Sequence, residues 1–575
     1  MKSNTGEMIV AYRGDGFGAR ICAIANGLSV AERMGREFRF SWPEMKTDAG
    51  HHAIAPPEEI FSPEFLAQHL DQTIAPRSFV GVMDRPITSE VIEQSRALRG
   101  IAINHWNGPV DIEGMPHLAI EDMAAVFNKI GFSEPIKAVI EKAKIEINGP
   151  FVAVHARRGD IVYGEYRKRL FNRKYMPLAA VRTIIRRLSE QGVSVLFFSD
   201  DEPTVVNLKA QFNIGTSLDY GAAELQTKTE RAVYDIALMA QCETIFASRS
   251  VFTMAAALMG GVPVKEVVKY AERAALYYDI MDDLALYPQH YTTLERAKNL
   301  QWVAGEMADV ISEEERDVLL SQAFAIDPET HTYMHMRAVD SLRRGRPSRA
   351  ESILRESAQI CFGQSHYAAM ELAPSYAAVD NHYPKFMRQS MNKRFPYLNL
   401  MCAHHLRMEG KTDEVVKHSA LAYELAPSAL TGGIYCFDLI KAKDYTTAAK
   451  LAQKLITAHG DMPGLYAAQG HALSAIIGQK KKAYAAFSKA YALYPTDQSN
   501  ASQAAYFGSR CGKTDEAKDI MAANPPSSVM VGAIAFTFSK AADRIGDLEG
   551  AAAYAARAVF LEPKRAKFRE RLLGF

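Results

Sequence analysis

Two α/β domains with parallel sheets, followed by an all-helical repeat solenoid, are what this 575-residue sequence predicts. Three observations carry that expectation. Up to about residue 285, short apolar runs alternate with helical segments, the pattern of βαβ units. Beyond that point strand-like runs almost vanish, and similar fragments return at a nearly constant step. The length itself calls for several domains, because single hydrophobic cores rarely grow past ~250–300 residues.

The first expected strand is EMIVAYR, followed by the helix ARICAIANGLSVAERMG and the strand EFRFSW. The second domain begins with PFVAVHAR, the helix PLAAVRTIIRRLSEQG and the strand VSVLFFSD. A helix near 227–241, the strand ETIFAS, the segment VFTMAAALMGG and the run VPVKEVV complete it. These elements read as two Rossmann-like domains over 1–145 and 146–285, then a helical linker over 286–320 and helical repeats over 321–575. In the last segment GKTDEV, KDYTTA, GQKKKA, GKTDEA and GDLEGA begin at 410, 443, 478, 512 and 546, steps of 33, 35, 34 and 34. Prolines at 427, 463, 495, 525 and 563 close the units, and an earlier copy places Gly345 about two periods before Gly410. A lone helix pair cannot bury its apolar face, so such units must stack into a solenoid. The array resembles tetratricopeptide (TPR) repeats.

Composition narrows the function classes. Lys and Arg number 67 against 66 Asp and Glu, a formal charge of +1. General nucleic-acid binding or a polybasic membrane surface would need a basic excess; a small anionic ligand held by a few arginines would not. The six cysteines are scattered with no CxxC pair, which fits a reducing compartment and neither a zinc site nor a disulfide framework. No run of 18 apolar residues and no signal-peptide pattern occurs, so the expected location is cytoplasmic.

Ligands of open α/β sheets sit beyond the carboxyl ends of the strands. Three such ends carry unusual residues. In YRGDGFGARI, Gly14, Gly16 and Gly18 bend the chain before a helix whose free N–H groups can face an anion. Its spacing does not match the dinucleotide fingerprint G-x-G-x-x-G, which disfavours a dehydrogenase. In FVAVHARRGD, Arg157 and Arg158 arrive where the strand ends; one of them should enter a crevice and the other meet solvent or a structural acid. In VLFFSDDEP, Asp200 and Asp201 serve as a metal ligand, a ribose hydrogen-bond acceptor or a helix cap. No further acidic or histidine cluster accompanies them, so no metal is expected.

HARRGD, FFSDD and RAVYDIALMAQCETIFASRSVFTMAAALMGG, in that order, resemble the three motifs of GT-B fucosyltransferases, which include the α1,2-, α1,6- and protein O-fucosyltransferases. GFGARICAIANGLSVAERMGREFRFSWP is similar to the N-terminal motif of bacterial members. The resemblance covers roughly residues 8–270 as scattered motifs. It implies a GT-B fold and a donor substrate, GDP-fucose, used without a metal. Arg157 matches the arginine on the β-phosphate, His155 and Asp235 match positions near the guanine, and Asp201 matches an SDD position near the nucleotide. Ser248 and Ser250 match a hydroxyl segment that meets phosphate at a helix start, and Gly16, Gly18 and Arg158 are expected to contact the donor as well. Glu165 falls where core α1,6-fucosyltransferases have a proposed base, with Asp160 as the competing acid or as a group that orients the arginines. The acceptor side offers His51, His52, His105 and Trp106, each equally readable as a loop or core residue.

The expected activity is inverting, metal-independent transfer of fucose from GDP-fucose to a glycan or protein, with the repeats recruiting the acceptor or protein partners. Two alternatives stand beside it: transfer of another nucleotide sugar for surface polysaccharide synthesis, and a non-catalytic scaffold carrying a degenerate transferase half. Adhesion through Arg158-Gly159-Asp160 is disfavoured, because the tripeptide ends a buried strand.

Overall fold

The computed structural model describes residues 7–43, 54–146, 150–164, 167, 174–270, 272–362, 394–562 and 565–574. The chain is mostly helical, with two small parallel sheets, and divides into two compact units: one ends at Asp327 and the other runs from Pro328 to Phe575.

In the first unit, one sheet consists of β1 (Met8–Tyr12), β2 (Phe38–Ser41), β3 (Val80–Val82) and β4 (Gly100–Ile103) in the order β2-β1-β4-β3. The other consists of β5 (Phe151–Ala156), β6 (Ser194–Ser199), β7 (Gly215–Thr216), β8 (Thr244–Ala247) and β9 (Val264–Glu266) in the order β7-β6-β5-β8-β9. Every pairing is parallel, with β5 at the centre of its sheet. That position explains the apolar character of FVAVHA: residues Val152 to Ala156 are buried on both faces, as parallel strands under helices must be. All six expected strands are present. No strand is expected from the sequence at β3, of three residues, at β7, of two, or at β4, whose four residues are all buried and so show no alternation.

Helices are cut where local chemistry requires. Thr227 and Glu230 form a capping box that starts Lys228–Met239. Ser250 caps Val251–Gly260 by accepting from the Phe252 N–H at 3.3 Å. Helix Phe17–Met34, leaving β1, packs against Val251–Gly260, leaving β8, so elements of the two sheets share one core. Gly18 permits that approach: a Cβ there would lie 2.9 Å from the Phe252 Cα and 3.0 Å from the Val251 carbonyl oxygen.

The stretch 286–320, expected as a helical linker, supplies side chains to the second sheet's interior. Helix Thr293–Glu306 contributes Glu295, and the preceding helix Arg273–Leu286 contributes Asp283, which accepts from Arg182 Nε at 2.8 Å and from Arg186 Nη2 at 2.8 Å.

In the second unit, helices from Pro396–Met408 to Leu548–Leu561 each pack on a neighbour. Buried alanines such as Ala452, Ala486, Ala504, Ala541 and Ala555 let them approach closely. The repeated fragments mark the turn between paired helices. Their first residues share one left-handed backbone conformation: Gly410 (φ 75°), Gly478 (83°), Gly512 (78°) and Gly546 (81°), joined by Gly345 (66°). In KDYTTA the position falls on Lys443, which adopts φ 66° all the same.

Candidate functional site

The strand β5 ends in His155 and Ala156, Arg157 and Arg158 follow it, and the two arginines go opposite ways. Arg157 stays partly exposed; its Nε donates to Asp160 Oδ1 at 3.1 Å and its Nη2 to Asp160 Oδ2. Asp160 is itself buried, so the pair is a fixed fork. Arg158 is fully buried, with 0% exposure. It donates to Glu295 Oε1 and, through Nε, to Thr204 Oγ1 at 3.2 Å, with Asp201 Oδ2 at 3.6 Å. Burial works against its charge, and the nearby Tyr175, Glu295 and Asp201 outweigh that effect and raise its pKa. Arg158 therefore braces the interior, with its Nη1 buried and without a hydrogen-bond partner, rather than standing exposed beside Arg157.

Asp201 has a similar station. It is 8% exposed and accepts from Thr204 Oγ1 at 2.5 Å beside Arg158. Asp200 caps the turn that carries the motif: its Oδ1 accepts from the backbone N–H of Arg158 at 2.6 Å and of Gly159 at 3.1 Å. The two acids after FFS thus hold the shape of RRGD from below.

His155 is buried, its ring 5.7 Å from that of Phe252, and its Nδ1 makes no hydrogen bond. Burial, then the neighbouring Arg157, lowers its pKa to about 4, so the imidazole is neutral near pH 7. Asp235, on helix Lys228–Met239, also has a buried oxygen, Oδ1, without a hydrogen-bond partner. Burial raises its pKa to about 6, opposed by Ser217 and Arg231. An unsatisfied buried acceptor is energetically unfavourable, and a ligand N–H would relieve it. Ser248 Oγ donates to the Lys174 carbonyl oxygen at 2.6 Å, and Ser250 is occupied as a helix cap.

On the first sheet, Gly16 starts helix Phe17–Met34 without any side-chain cap. Arg13, just after β1, donates to Asp15 at 2.6 Å and to the Asn104 carbonyl oxygen at 2.9 Å. Arg20 stacks 4.8 Å over the Trp42 ring and keeps a buried Nη2 with no acceptor. Burial lowers the Lys174 pKa, followed by Arg157, while Asp15, Arg13 and Asp160 act on it as well. Arg13, Arg20 and Lys174 were not singled out from the sequence, since single basic residues, two of them in loops and one within a helix, form no pattern. Glu165, His51 and His52 lie outside the described residues. His105 is buried, 3.9 Å from Asp84, and Trp106 packs partly buried against the core.

Beside this cluster, a cavity of about 190 Å³ opens at the ends of β8 and β9, lined in part by Tyr175, Ser248, Arg249, Glu266, Lys269 and Trp302. Among the described residues no three His, Cys, Asp or Glu side chains converge as metal ligands would. No described helix is long and apolar enough to cross a membrane.

No family model and no curated protein matches this chain. Among solved structures, the chain is similar to the NodZ α-1,6-fucosyltransferase soaked with GDP-fucose, at 20% identity over 45% of this chain and 94% of that one, with a TM-score of 0.28. It is also similar to a thermophilic TPR protein of Thermus thermophilus, at 16% identity over 31% of this chain and 97% of that one, TM-score 0.28. A tetratricopeptide repeat protein of Parabacteroides merdae matches at 12% identity over 48% of this chain and 98% of that one, TM-score 0.30.

Proposed function

We propose that the chain is a glycosyltransferase of the GT-B type that moves fucose from GDP-fucose, with inversion and without a metal, to a glycan or protein acceptor. The observation that carries this reading is Arg157, held just after β5 in one orientation by the buried Asp160 while staying partly exposed. Departure of a nucleoside diphosphate concentrates negative charge on its phosphate oxygens, and preoriented cations at that place lower the barrier. Asp160 keeps Arg157 in one orientation, so its positive charge needs little reorganisation during the reaction.

The unpaired Asp235 Oδ1 would accept from guanine N–H groups, giving a physical basis for preferring guanine to adenine. His155 is neutral near pH 7 and has an unpaired ring nitrogen for the same base or its ribose. Ser248, Ser250, Gly16 and Gly18 would border the phosphates, and Asp201 acts through Arg158 rather than on the nucleotide. Glu165 is our candidate for the base that takes the acceptor hydroxyl proton. The repeats would recruit the acceptor or a protein partner.

Thermal shift with GDP, UDP and ADP tests the nucleotide. GDP should stabilise the protein most, and mass spectrometry should then detect GDP released from GDP-fucose. Absence of stabilisation by GDP would overturn the proposal.

A further inference from the structure

The repeat unit holds a nucleophile, a base and an orienting amide within reach of one another. Helix Pro396–Met408 carries Asn399 and Cys402, one turn apart, and helix Thr412–Leu425 packs on it and carries His418. His418 Nδ1 lies 2.9 Å from Asn399 Oδ1, and His418 Nε2 lies 3.6 Å from Cys402 Sγ. The Asn399 amide is oriented by its other end: Nδ2 donates to the Phe395 carbonyl oxygen at 2.8 Å, which turns Oδ1 to the ring. That oxygen can only accept, so the neutral imidazole carries its proton on Nδ1 and presents the Nε2 lone pair to the thiol. Burial lowers the His418 pKa, with Glu414 opposing, so the ring is neutral near pH 7.

The chain's other thiols are placed differently. Cys22, Cys242 and Cys436 donate to backbone carbonyl oxygens, of Val251 at 3.6 Å, Leu238 at 3.7 Å and Ala448 at 3.7 Å. Burial pushes all three up to about 12, so they stay protonated and inert. Among the described cysteines, Cys402 is the one whose sulfur meets a ring nitrogen able to take its proton. It is 4% exposed, and His418 beside it is half-buried.

A thiol bonded to a base that a third group orients is the arrangement that yields a thiolate. The surroundings of the sulfur select the reaction. Acyl transfer needs donors for the oxyanion of a tetrahedral intermediate. Cys402 sits within a helix, where each backbone N–H is spent on the carbonyl four residues back. Exchange with a disulfide forms no oxyanion and needs only the thiolate.

We propose that Cys402 is a thiol–disulfide exchange site, activated by His418 and oriented through Asn399, that takes a small disulfide, RS–SR, as its co-substrate. Cys402 gives its proton to His418 Nε2, and the thiolate attacks one sulfur of the disulfide. The bond from Cys402 Sγ to that sulfur forms as the RS–SR bond breaks, and the departing RS⁻ takes the proton back from His418. One disulfide is consumed, one thiol RSH is released, and the protein carries a mixed disulfide. The inference is independent of what the sheets bind.

The test uses the full-length protein and glutathione disulfide, with the modification of each cysteine followed in time by peptide mass spectrometry. Cys402 should be thiolated ahead of the more exposed Cys511. Lowering the pH from about 8.5 to about 6.5 should slow Cys402 less than Cys511. His418→Gln should slow Cys402 about tenfold or more and leave Cys511, the internal reference, unchanged; Asn399→Ala should act in the same direction more weakly. The pH comparison needs no variant, so it decides the matter if His418→Gln unfolds. Thiolation of Cys511 with Cys402 untouched, equal pH dependence of the two, full Cys402 reactivity in folded His418→Gln, or Cys402 reacting no faster than Cys436 would each refute the proposal.

Discussion

The sheet-bearing unit and the repeat unit treat positive charge in opposite ways. At the end of β5, Arg157 and Arg158 each have a carboxylate built into the fold, Asp160 and Glu295. On the terminal repeats Arg510, Lys540 and Lys567 have aromatic rings instead. A carboxylate fixes a guanidinium in one direction, whereas a ring face supports a cation and leaves its hydrogens available. The first arrangement suits a reaction in which orientation decides the rate. The second keeps cations near one another without fixing their direction.

The sharpest way to break this contrast is to substitute the arginines separately. Arg157→Ala should abolish fucose transfer, a loss of at least about 10²-fold, while the thermal midpoint stays near that of the parent. Near-normal turnover would remove the phosphate role. Glu295→Ala should do the reverse: by leaving Arg158 buried and unpaired it should destabilise the fold by ~3–5 kcal/mol, read by urea unfolding.

A smaller effect concerns pH. Asp235 has its pKa raised to about 6 in the fold, so its carboxyl gains a proton as pH falls below that point. If guanine needs the carboxylate, GDP affinity should fall about tenfold from pH 7 to pH 5. Asp235→Asn should flatten that profile. His155, lowered to about 4, stays neutral throughout this window and adds no slope. In the repeat unit, Lys443→Gly should stabilise by ~1 kcal/mol, because a lysine in left-handed conformation is strained where glycine is not. Calorimetry of the full chain would reveal this as a raised midpoint for the repeat transition.

The sequence made the longer strands and the repeat step visible because each rests on local regularity. The period survives at Lys443 even though its residue type changes, so spacing carried more information there than identity. The different fates of Arg157 and Arg158 were only half legible. That one should point inward follows from their adjacency in a strand. Which one depends on Glu295, 137 residues further on, in a stretch without strand or motif signal.

Gly18 has a mechanical consequence. Where its backbone meets Phe252, no side chain cushions the contact, and His155 rests on the Phe252 ring. A contact with no pliable side chain in it transmits strain directly, because a packed interior compresses little. A single methyl group added at Gly18 would have to push the Phe252 backbone aside, and the ring on which His155 rests would move with it.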